Sequence, residues 1–246
     1  AYYGCVGGTA GIEMAQASGL PLVMEAERDP RKTSTYGTGQ LLMDALQRGF
    51  RDIRIAIGGS ATNDGGMGMA SALGVRFLDC DGQELEGIGE NLELVERIDI
   101  SGLTPLIRQA KITVMCDVTN PLCGENGATY TFGKQKGGTP EILDQLESGM
   151  QHYRDVIRNT FQTDPDQIPG TGAAGGLGAA LLIYLGAEMR SGIDCVLDMT
   201  NFDRWLEWAD LVVTGEGRTD WQSSFGKVMQ GIGDRCVRKG VPVVGL

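Results

Sequence analysis

The stretch from Ile53 to Gly74 constrains this chain more than any other. It reads I-R-I-A-I-G-G-S-A-T-N-D-G-G-M-G-M-A-S-A-L-G. Ile53, Ile55 and Ile57 alternate with Arg54 and Ala56, the period-two signal of a strand. Gly58 and Gly59 stop that strand. Ser60, Thr62, Asn63 and Asp64 follow, residue types that cap helices and bind oxyanions or metals. Gly65, Gly66 and Gly68 leave the backbone open to a close neighbour. Met67 to Leu73 is predicted as a short helix ended by Gly74. A strand, a turn rich in glycine and hydroxyl groups, and a helix together aim N–H groups and a positive helix end at an anion. A phosphate or carboxylate site at Gly58, Gly59, Ser60 and Thr62 is the expectation; a ligand-free βα turn is the alternative.

Three features of composition narrow the function. The formal net charge is −11, which disfavours a nucleic-acid partner. The single histidine, His152, sits in a helix-like run, which removes a Ser-His-Asp triad and a multi-histidine metal site. The six cysteines contain no C-x-x-C pair and read as reduced thiols of a cytoplasmic protein. No run approaches the ~20 apolar residues of a membrane span.

The 38 glycines gather in turns after apolar runs, as in an α/β protein with loop-built sites. Thr9 to Ala17 is predicted as a helix, as is a segment capped by Thr38 and closed by Gly49. Asp81-Gly82 marks a hairpin between 75–78 and 83–85. Ile112 to Val118 is a buried-type strand. Asp117, at its end, is placed to hold a cation or accept a proton, with Asn120-Pro121 as the turn that follows. Thr139 caps a long helix with Pro140 at its first position, and Ile142, Leu146, Met150, Tyr153, Ile157 and Phe161 form its core stripe.

Gly170, Gly172 and Gly175 satisfy G-x-G-x-x-G, but no proper strand precedes them and no acid closes the next strand. A dinucleotide reading is rejected. Gly172 is left between a phosphate role and a close helix contact. Leu211 to Thr214 is a strand followed by Glu216, Arg218 and Asp220. Gly226-Lys227 then opens a helix, without the spacing of a P-loop.

Taken together, these phrases resemble the glycerate kinase family of the bacterial glyoxylate-pathway type. The matching runs are 35–39, 57–66, 116–122, 132–137, 172–178 and 214–220, in the family's order. The resemblance implies two α/β domains, one flavodoxin-like and one discontinuous. The inserted domain is expected over about 20–200, with 1–19 and 201–246 as the remnant of the second. The family's Asp-Ser-Phe-Lys-Gly-Ser and Ala-Asp-Gly-Gly-Glu-Gly phrases do not occur, so the chain is expected to be the middle and later part of such a protein.

The resemblance also implies ATP-dependent phosphorylation of D-glycerate, with ATP and magnesium, in the cytoplasm, and leaves room for a homo-oligomer. Gly58, Gly59, Ser60 and Thr62, with Asn120 and Gly172, would hold phosphate or the glycerate carboxylate. Asp64, Asp117, Glu216 and Asp220 are candidates for the metal or for activating the hydroxyl, with Asp117 and Glu216 as metal ligands. Arg218 and Lys227 would neutralise phosphoryl oxygens. The acids are not ranked. The rival expectation is a truncated, non-catalytic anion- or nucleotide-binding or assembly domain.

Overall fold

The computed structural model describes residues 1–215 and 227–246. Contacts divide the chain into Ala1–Met189 and Arg190–Leu246, each taken by itself below. The first unit is built on a five-stranded sheet of order β1-β2-β3-β6-β7. Its strands are β1 Gly4–Val6, β2 Thr9–Glu13, β3 Asp52–Ala56, β6 Lys111–Met115 and β7 Glu188–Arg190, the last at the boundary. β1 and β2 form an antiparallel hairpin. β2, β3 and β6 run parallel, with Glu13 opposite Ala56 and Ala56 opposite Met115. β4 Arg76–Leu78 and β5 Arg97–Asp99 make a separate antiparallel pair.

The expected α/β class with a parallel sheet is what forms. One element differs. Thr9 to Glu13 is a strand, not the start of a helix; the helix α1 is only Ala15–Ser18. Ala10 and Ile12 are buried on one face while β3 offers a parallel partner on the other side of the hairpin. Sheet pairing outweighs the helix propensity of so short a run.

Helices α2 Tyr36–Gln47, α3 Met67–Ala72 and α5 Pro140–Phe161 cover the sheet and its loops. The Thr139 hydroxyl accepts from Ile142 N–H at 3.4 Å, the expected N-cap. Met150, Tyr153 and Ile157 of α5 are buried in the core with Ile53, Ile55, Val114 and Phe77, and Leu146 is buried as well. The remaining helices of this unit are α4 Ala128–Phe132 and α6 Leu177–Leu185. Tyr153 Oη and Tyr184 Oη hydrogen-bond at 2.6 Å within that core, which satisfies two hydroxyls that burial would otherwise penalise.

The second unit contains α7 Gly192–Met199, α8 Phe202–Leu206, β8 Val212–Thr214, α9 Lys227–Lys239 and β9 Val243–Gly245. β8 and β9 pair in parallel. Arg235 of α9 donates to Asp194, Asp198 and Asp203 at 3.2, 2.7 and 3.0 Å, tying α9 to α7 and α8. Within the first unit, residues 4–13 belong to the main sheet, where β2 pairs with β3.

Candidate active site

Three loops leave the same edge of the sheet. β2, β3 and β6 are parallel neighbours in register, so residues 14–20, 57–64 and 116–122 start side by side, about 4.8 Å from strand to strand. This is the carboxyl edge, where open α/β sheets bind ligands. Gly58 and Gly59 are exposed there. Gly59 has φ +73°, a left-handed backbone that a side chain would strain. The turn is held from below by two bonds to the β2 loop: Leu20 N–H donates to Gly59 O at 2.8 Å and Ala61 N–H to Ser18 O at 3.0 Å. Among the described residues, the N–H groups of Gly58 and Gly59 donate to no backbone carbonyl. Ser60 adds a hydroxyl at the base of the turn, and Asp117 places an exposed carboxylate just past β6. Glu13 and Gln16 also reach this edge, with Gln16 Nε2 donating to Glu13 Oε2 at 3.5 Å. The structure thus brings Gly58, Gly59, Ser60 and Asp117 to one edge.

Two members of the same stretch are enclosed. Asp64 is fully buried. Its Oδ2 accepts from Thr35 N–H at 2.8 Å, Thr35 Oγ1 at 2.7 Å and Gly68 N–H at 3.2 Å, and its Oδ1 from Gly66 N–H at 3.2 Å. Burial raises its carboxyl above the ordinary value against the pull of these four donors. Both oxygens of Asp64 are thus engaged inside the protein, where they hold the loop. Thr62 is 1% exposed, lies under the turn, and faces inward. Its hydroxyl is enclosed there with no hydrogen-bond partner among the described residues.

The residue beneath the turn that sequence reading passed over is Lys136. It is 2% exposed, and its Nζ donates to the Thr62 carbonyl at 2.6 Å. Burial pushes its ammonium down to about 7, and the nearby charge of Asp64 opposes that fall. Asn63 Nδ2 donates to Thr129 Oγ1 at 3.2 Å, a second link between the 60–64 loop and the segment that carries Lys136. The only sequence signal was a lysine between close glycines in G-K-Q-K-G, which a solvated loop explains equally well.

The glycine run 170–178 resolves in favour of packing. Gly172 is buried; its N–H donates to Asn120 O at 3.0 Å, and a methyl group there would collide with the Pro121 carbonyl. Its N–H is spent inside the protein, on the close helix contact of the two roles expected for it. Gly175 meets the Thr62 carbonyl in the same way, and its own carbonyl accepts from Gly65 N–H at 2.9 Å. Asn120 donates its amide to Asn126 O at 2.8 Å and Thr131 Oγ1 at 3.4 Å, which braces its loop.

Glu216, Arg218 and Asp220 lie outside the described residues. Lys227 is described as the first residue of α9. Among the described residues no three acidic, histidine or cysteine side chains gather into a metal site. None of the six cysteines forms a disulfide, and among the described residues no helix is long and apolar enough to cross a membrane.

Comparison with known proteins adds an independent line. A model of the glycerate kinase family matches residues 1–246. The chain is 48% identical over 240 residues to glycerate 2-kinase of Escherichia coli (strain K12), covering 98% of this chain and 63% of that protein. It is 46% identical over 248 residues to glycerate kinase of Bacillus subtilis (strain 168), covering 100% of this chain and 65% of that one. A crystal structure described as glycerate kinase 2 from Salmonella typhimurium LT2 superposes with a TM-score of 0.93 at 47% identity, over 100% of this chain and 66% of that chain. The chain therefore spans just under two thirds of the length of these relatives.

Proposed function

The chain belongs to the glycerate kinase family, and we propose that its sheet edge is the acceptor- and phosphate-binding part of an enzyme that phosphorylates D-glycerate with ATP. One observation carries the reading beyond family membership. The carboxyl edge of β2, β3 and β6 carries the exposed Gly58-Gly59 turn, with the Ser60 hydroxyl enclosed at its base, beside the exposed carboxylate of Asp117.

Phosphoryl transfer asks the protein mainly to position two oxygens in line and to stabilise charge. The N–H groups of Gly58 and Gly59 and the Ser60 hydroxyl hold the glycerate carboxylate or a phosphoryl group. Asp117 accepts the proton of the attacking hydroxyl, or serves as a metal ligand. Glu216 and Asp220 remain the other acids for these tasks, and Arg218 and Lys227 the cations that neutralise phosphoryl oxygens. Magnesium keeps several waters and needs only one or two protein carboxylates besides the phosphates. The exposed carboxylate of Asp117 fits that habit; a bound magnesium would supply charge neutralisation. The free thiols accord with a cytoplasmic enzyme.

A coupled ATP assay on the full-length natural protein tests this. Asp117→Asn and Ser60→Ala should each lower glycerate-dependent turnover, by about 10²-fold for a lost transition-state contact. Wild-type turnover in both variants would remove this edge from the mechanism. Calorimetry with ATP–magnesium and with glycerate reads binding separately. Binding by the natural protein without turnover would establish the anion-binding alternative instead.

A further inference from the structure

The carbonyl of Thr62 is where two segments from distant parts of the chain close on the active-edge loop. Gly175 packs against it from one direction, and Lys136 Nζ binds it from another at 2.6 Å. Thr62 lies two residues past Ser60, and Asp64 lies two residues further. Asp64 is fixed to Thr35, Gly66 and Gly68. The short path from Ser60 to Asp64 therefore has its far end anchored by Asp64 and its middle pulled by Lys136. Its near end is the exposed Gly58-Gly59 turn.

A lysine buried to this degree is costly, and a chain that needed only a neutral filler would carry an apolar residue. The ammonium has a compensating partner in Asp64, and its length spans from the 132–137 segment to the Thr62 carbonyl. Thr129, five residues before Lys134, accepts from Asn63 and pulls the same loop toward the same segment. The two links share no atoms and act on adjacent residues.

From this geometry we propose that Lys136 is a positioning residue of the glycine turn: its bond to the Thr62 carbonyl sets the path of residues 60–64 and so the aim of the Gly58, Gly59 and Ser60 donors. Lys136 acts through the backbone and touches no substrate. The proposal rests on the kinase reading for its kinetic consequence but not for its structural one, so the two are tested separately.

The structural arm uses the chain without any ligand. In the unmodified protein, the Lys136 Nζ resonance should show a scalar coupling across the hydrogen bond to the Thr62 carbonyl carbon; its absence overturns the proposal even if no variant folds. In Lys136→Met, amide exchange at Ala61 to Asp64 should speed up by roughly tenfold or more while α5 keeps its protection. A uniform rise across the whole unit would make Lys136 a general stabiliser and overturn the proposal. The kinetic arm uses the full-length natural enzyme. Lys136→Met should lose about 10²-fold in kcat/KM, the scale of a small misplacement of contacting groups, and Lys136→Arg should recover most of it. Unchanged kcat/KM per folded molecule overturns the proposal. A natural protein with no kinase activity, but with the coupling and the local exchange effect, would sink the kinase reading and leave the positioning role intact.

Discussion

Thr35 Oγ1 donates to Asp64 Oδ2 at 2.7 Å while accepting from Met69 N–H at 2.8 Å. A single hydroxyl thus joins the loop before α2, the turn after β3 and the first turn of α3. Thr35 sits at the N-terminus of α2, yet its side chain caps α3 and binds Asp64 instead of its own helix. A carboxylate counted among the unranked candidate acids is the centre of this internal brace.

Asp64→Asn follows from that arrangement. The amide presents an NH₂ to groups that are already donors and leaves Lys136 without its counter-charge. Unfolding stability should drop by about 3 kcal/mol, the scale of leaving buried donors without the charged acceptor they faced. Denaturant unfolding of the variant checks this. A loss under about 0.5 kcal/mol, at the level of an ordinary surface change, would mean the brace is not what holds the loop.

Gly172→Ala should be a second stability variant, because the new methyl meets the Pro121 carbonyl. Overpacking of this kind costs about 1–3 kcal/mol. Gly58→Ala is the contrast: nothing lies within 4 Å of the added group. Thermal melts should separate the two, with Gly172→Ala clearly lowered and Gly58→Ala close to the parent. Equal melting temperatures would contradict the packing assigned to residues 170–178.

Ser60→Ala divides function from fold. The hydroxyl has no bond in the described network, and the residue lies at the turn's base, so stability should change by no more than about 0.5 kcal/mol. Turnover is expected to suffer far more. A variant that melts early and turns over normally when folded would reverse this assignment.

Lys136 gives a pH signature. Its ammonium ionises at about 7 in the folded chain against 10.5 in the unfolded one. Between those values the unfolded chain holds a proton that the folded chain has released, so stability rises with pH. The penalty for the buried charge is present in full below 7 and is relieved progressively up to about 10.5. The slope is on the order of 1.4 kcal/mol per pH unit for one proton. Asp64 is the charge that faces the ammonium and limits the shift. Urea unfolding of the parent and Lys136→Met at pH 7 and pH 9.5 should show the parent gaining relative to the variant. Parallel pH curves would mean that the lysine keeps its proton in the fold.

Much of the architecture could be read from residue pattern. The alternation of Ile53, Ile55 and Ile57 marks β3, and the Thr139-Pro140 start marks α5, because each signal is local to the element it specifies. Thr9–Glu13 misleads since its five residues carry no clear alternation, and its strand state comes from β3, some 40 residues away in sequence. Asp64 and Lys136 mislead for a related reason. Charged residues beside glycines usually mark exposed, ligand-facing turns, and only their three-dimensional neighbours reveal that both are enclosed. Gly172 was left between two roles, and the nearness of Pro121, which decides between them, leaves no trace in sequence spacing.

The packing of residues 170–178 against 60–65 and 120–122 is made largely of main chain on main chain. Such a seam offers few side chains to exchange, so attempts to redesign what this protein accepts have little purchase there. Altered selectivity would have to be engineered at the rim, through Gln16, Val118 and Thr119, where replacement groups can point outward without forcing the loops apart.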